Sequence, residues 1–170
     1  MKRGVHTIRS GLTSAANPSA PRRYTLDNGD YKRNMKITNL EIFPASTNPA
    51  DREDLSATAV FFTIATSEAG AVPTSTTSSP SEYGPVLNLR PSDSRQIAWG
   101  ILAPAYGYVY STVDPDHIIP EDIFVNAWSI SSGGSLNPVP YTVGFVIRME
   151  AITSTGVEGL LYQAKINTLE

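Results

Sequence analysis

An all-β fold is what this sequence predicts: an antiparallel β-sandwich, in jelly-roll form, preceded by an extended basic N-terminal arm. Three observations carry that expectation. Seven or eight short segments of alternating or doubly apolar character are separated by turn residues. No segment sustains a long helical period. Charged residues make up only 17% of the 170 positions, whereas Ser and Thr together number 34. A chain of this length forms one domain on the usual scale of about 100 to 200 residues. That many strands require two packed sheets, because a single sheet would leave an apolar face in water.

Residues 1–23 read as the arm and residues 24–170 as the sandwich domain. The arm carries Lys2, Arg3, Arg9, Arg22 and Arg23 and no acidic residue. Its Gly, Ser, Asn and Pro residues break any helical or strand period. Extended to Lys36, the segment holds eight of the thirteen basic residues against Asp27 and Asp30, and the remainder has a net charge of −9. A basic segment beside an acidic body favours docking on a protein surface. Five cations over 23 residues are too sparse for the dense Lys/Arg blocks of a genome-binding arm, so nucleic acid is the less favoured partner.

The first strand covers Arg23 to Leu26 and leads into Asp27-Asn28-Gly29-Asp30, a tight turn in which Asn and Gly tolerate positive φ. In Met35 to Phe43, Met35 and Ile37 share one parity and Leu40 and Ile42 the other. A bulge near Asn39 restores an inward apolar set, and Pro44 closes the strand. Asn48 to Asp54 reads as one capped helical turn. Leu55 to Thr66 is rich in β-branched and aromatic residues and reads as a buried strand. Residues 68–94 read as a long surface loop with a short strand near Val86 to Leu89. Ile97, Trp99 and Ile101 alternate with Gln96, Ala98 and Gly100, and Tyr106, Tyr108 and Tyr110 with Gly107, Val109 and Ser111. Ile123 to Ile130 is apolar at both parities, as in a strand covered on both faces. Tyr141, Val143, Phe145, Ile147 and Met149 oppose polar or small neighbours, a half-buried strand. Leu160 to Asn167 repeats that pattern after a hairpin at Gly156 and Gly159.

Chemistry is sparse. With no cysteine, disulfides, thiol catalysis and cysteine-bound metal sites are excluded. No run reaches the roughly 18 apolar residues of a membrane span. Asp114, Asp116 and His117, followed by Glu121 and Asp122, form the densest cluster of metal-ligand types. The glycine and alternating ligand spacing of a calcium loop are missing, so Asp side chains capping backbone N–H groups before a strand are the preferred reading. Neither a nucleophile elbow nor a phosphate-cradling glycine loop occurs, and no cofactor or catalytic residue is expected. Tyr106, Tyr108 and Tyr110 could stack on sugars or bases if exposed; a buried wall of the sandwich is the preferred alternative.

Tyr24-Thr25-Leu26-Asp27-Asn28-Gly29, Ile42-Phe43-Pro44, Asp114-Pro115-Asp116-His117 and the Tyr141 to Glu150 strand together resemble structural proteins of marine bacterial viruses. That resemblance implies a small β-sandwich subunit of the virion capsid or its decoration. Its partners would be further copies of itself and other capsid proteins, and it would carry no catalytic residues. The chain's length suits a decoration or minor role. A carbohydrate-binding sandwich module is the alternative.

Overall fold

The computed structural model describes residues 5–13, 20–26, 33–45, 59–72, 95–103, 107–130 and 141–153. Within them lie, in chain order, β1 (Val5–Thr13), β2 (Arg22–Thr25), β3 (Arg33–Pro44), β4 (Ala59–Ala65), α1 (Glu68–Ala71), β5 (Gln96–Ala103), β6 (Tyr108–Val113), β7 (Asp122–Ile130) and β8 (Thr142–Thr153). They form two antiparallel sheets, one of three strands in the order β1-β8-β3 and one of five in the order β2-β7-β4-β5-β6. The all-β sandwich follows from the alternation of the strands.

On β8, Val143, Phe145, Ile147 and Met149 are fully buried, as their shared parity demands. On β3, Met35 and Ile37 pair with Ala151 and Met149, and the register then shifts so that Asn39 lies opposite Arg148. Thr38 is the extra residue, and its Oγ1 donates to the Arg148 carbonyl at 3.2 Å. The insertion turns Leu40 and Ile42 back to the core side, where both are buried. From the five-stranded sheet, Val60, Phe62, Ile64, Ile123, Val125 and Ala127 complete the layer. Phe62 and Phe145 meet across it with ring centroids 5.2 Å apart.

β4 and β7 are apolar on their second face as well. Phe61 and Trp128, fully buried, stack at 6.0 Å and 17° on the outer side of the five-stranded sheet, with Ala59, Trp99 and Ile101 packed against them. α1 covers part of the same side. Ser67 caps its N-terminus by accepting from the Gly70 N–H at 3.3 Å. Its last carbonyls accept from side-chain amides: Gln96 Nε2 reaches Gly70 O, and Asn126 Nδ2 reaches Ala71 O, each at 3.0 Å. The start of the stretch read as a surface loop is therefore a helical turn buried against β4 and β7.

Two further sequence readings change. Val5 to Thr13, read as part of a periodless arm, is a strand paired with β8 along its whole length. Ile8 and Leu12 point to the core, but Ser10 between them and Gly11 beside them dilute the period. Tyr108 and Tyr110, favoured as a buried wall, are 50% and 44% exposed. The helical turn at Asn48 to Asp54, the turn at Asp27 to Asp30, the strand near Val86 to Leu89 and the Gly156 hairpin with Leu160 to Asn167 lie outside the described residues.

Candidate functional site

The acidic turn between β6 and β7 is tied to the fold at both ends of its histidine. Asp114 Oδ1 accepts the Asp116 N–H at 2.9 Å, the expected Asx turn. His117 is 3% exposed. Its Nε2 accepts the Ile37 N–H at 2.8 Å, and its Nδ1–H donates to the Asp114 carbonyl. Accepting at Nε2 requires the neutral ring. Burial pushes the His117 pKa below the ordinary 6.5, the bond to Asp114 and the Asp114 charge oppose this, and Lys36 adds to the lowering. Both ring nitrogens of His117 are thus engaged with the backbone. Among the described residues, no group of three His, Cys, Asp or Glu is placed to hold a metal ion. Asp114 and His117 thus fix the turn through bonds to the backbone.

The turn covers a strand edge. Beside His117, Ile119 and Met35 exchange both backbone hydrogen bonds, at 2.8 and 2.9 Å. Ser111 Oγ on β6 donates to the Leu40 carbonyl at 2.8 Å. The outer edge of β3 is thus occupied by the chain's own β6–β7 segment, which sews the two sheets together.

On the opposite side of the sandwich, β1 and β2 are the sheet edges, and the arginines assigned to the arm act there. Arg22 Nη1 donates to the Gly11 carbonyl at 3.2 Å and to Ser10 Oγ at 3.4 Å, crossing from one sheet to the other. Arg23 Nε donates to Asp122 Oδ2 at 2.8 Å, on the strand beside it. Arg9 is exposed on the outward face of β1. Lys2 and Arg3 lie outside the described residues.

Among the described residues, β6 groups three exposed large hydrophobic side chains, Tyr108, Val109 and Tyr110. Tyr110 lies opposite Ile101, Ile101 opposite Phe61 and Phe61 opposite Trp128, so one cross-strand row runs from buried to exposed on the outer face of the five-stranded sheet. Tyr108, opposite Ala103, shares that face, and Val109, 52% exposed, points the other way. Tyr106 lies outside the described residues. The period of two put Tyr108 and Tyr110 on one face, but only the end of the cover over that face determines their exposure.

No described helix is long and apolar enough to cross a membrane. Comparison with protein-family models, with curated proteins and with solved structures returns no match.

Proposed function

We propose that this chain is a non-enzymatic structural subunit of a viral shell, a capsid or capsid-decoration protein, whose sandwich is a jelly roll. The observation that carries the reading is the order of strand pairing. The first strand pairs with the eighth, the second with the seventh, the third with the eighth and the fourth with the seventh. This nesting is what two successive Greek keys wound into two sheets produce, and jelly rolls of eight strands serve in viral capsids and in lectins. Fold alone does not dictate function, so the assignment leans also on charge and on the resemblance of the sequence to bacterial-virus structural proteins. The N-terminal 36 residues are basic and the rest of the chain has a net charge of −9, so one subunit's leading segment is complementary to its neighbour's body. Assembly through the sandwich and that segment, into a virion-associated oligomer, follows. Genome contact is not part of the proposal.

The test is solution mass by light scattering across protein concentration. The full chain is expected to form oligomers at low salt that dissociate towards single chains at about 1 M salt, where screening acts beyond roughly 3 Å. Arg9→Glu, on an exposed face, should shift assembly several-fold towards single chains without unfolding the protein. Single chains of 18.3 kDa at every concentration and salt would overturn the reading.

Tyr108 and Tyr110 favour a second reading, a carbohydrate-binding module in which their exposed rings stack on a sugar face. A glycan-array signal abolished by Tyr108→Ala and Tyr110→Ala would support it; no signal from the full chain would remove it.

A further inference from the structure

Among the described residues, β1 pairs with β8 alone, from Val5 opposite Glu150 to Thr13 opposite Thr142. Among the described residues, the hydrogen bonds to its other edge come from Arg22 alone. None of its nine residues is buried: Ile8, Ser10 and Leu12 are half-buried and the other six are exposed. A strand held by one ladder and three half-buried side chains belongs to the low-cost end of local opening. The segment that follows is Ser14-Ala15-Ala16-Asn17-Pro18-Ser19-Ala20-Pro21. It contains no charged or large apolar side chain, and it joins a strand of the three-stranded sheet to one of the five-stranded sheet.

We propose that in the assembled state β1 is exchanged between copies, so that the strand of one chain fills, on β8 of its neighbour, the place it can fill on its own. The partner is a second copy of this chain, and the inference rests on the reading of the chain as a self-assembling subunit. The exchanged form keeps every cross-strand pair and the same packing of Ile8 and Leu12. What it gives up is the high local concentration of a strand tethered within its own chain. A shell restores that concentration by holding subunits side by side. Arg9, with Lys2 and Arg3 before it, draws the released strand towards an acidic neighbour. Exchange of an identical element between protomers adds subunit contacts without new surface chemistry.

The absence of cysteine makes the test direct. Thr13 and Thr142 face each other with their Oγ1 atoms 3.2 Å apart, close enough for cysteines there to be bridged. Chains carrying only Thr13→Cys are mixed, dissociated, with chains carrying only Thr142→Cys, then assembled at low salt and oxidised. Exchange predicts a mixed disulfide dimer about tenfold above the level from Thr13→Cys mixed with the exposed control Ala69→Cys. A double variant in one chain, Thr13→Cys with Thr142→Cys, reports the closed form as a disulfide within a single chain. If the wild-type chain assembles, the double variant links within chains and the mixture gives no more than the control, exchange is overturned and the assembly reading stands. If the wild-type chain does not assemble, both are overturned.

Discussion

The outer faces of the two sheets differ in kind. That of the three-stranded sheet carries Thr7, Arg9 and Gly11 from β1, Glu41 and Phe43 from β3, and Gly144, Val146 and Arg148 from β8. Its Arg148–Glu41 ion pair, at 3.2 Å, has both side chains about half exposed. The outer face of the five-stranded sheet carries Phe61, Trp128, Trp99 and Ile101, with the first two fully buried. The five-stranded sheet is therefore packed on both sides around β4 and β7, and the three-stranded sheet on one. β4 and β7 carry the side chains buried on both faces, whereas none of the residues of β1 is buried.

The largest effect that could break this comparison is at Trp128. Trp128→Ala should cost about 3–5 kcal/mol of stability in urea unfolding, the loss expected for a large buried aromatic side chain. Trp128→Phe should cost far less, because among the described residues the buried Nε1 has no hydrogen-bond partner to lose. A loss below about 1 kcal/mol for Trp128→Ala would mean that this face is no second core.

Glycines on the two sheets sharpen the contrast. A Cβ at Gly100, on the core side of β5, would lie 2.4 Å from Ile42 Cδ1 and 2.9 Å from the Tyr110 carbonyl. Gly100→Ala should destabilise by about 1–3 kcal/mol, as overpacking does where backbone must move. A Cβ at Gly144 would lie 2.2 Å from Phe43 Cε2, but that ring is 45% exposed and can swing into solvent. Gly144→Ala should cost less than Gly100→Ala, and the reverse order in thermal melts would contradict the assignment of faces.

The third effect is pH dependence at His117. Its folded pKa is lowered, so the unfolded chain binds the proton more readily. The stabilisation is full above the unfolded value near 6.5 and is lost as pH falls below it towards the folded value. One proton limits the slope to about 1.4 kcal/mol per pH unit. His117→Gln should remove that component from the difference in stability between pH 7.5 and 5. An unchanged profile would show that another group titrates.

Much of this is legible in the sequence alone. The inward set of β8 follows from strict alternation, and the β3 bulge from the parity change between Ile37 and Leu40. β1 was not legible, because its inward positions include Ser10 and its outward ones Gly11, so no apolar stripe marks it. Burial at β6 is not legible, because alternation groups residues by face without saying how far a face is covered. The Asx turn at Asp114 was readable from local spacing. His117's partner, Ile37, is 80 residues away in sequence, and only the folded contact reveals why that histidine is neutral. Strand order, which carries the jelly-roll reading, lies beyond any local pattern.

The central claim, that this sandwich is a building block of a shell, is met most directly by electron microscopy of the concentrated full-length chain at low salt. Closed particles or regular lattices of one repeating subunit are the predicted result. A field of dispersed single 18.3 kDa chains under the same conditions would contradict it.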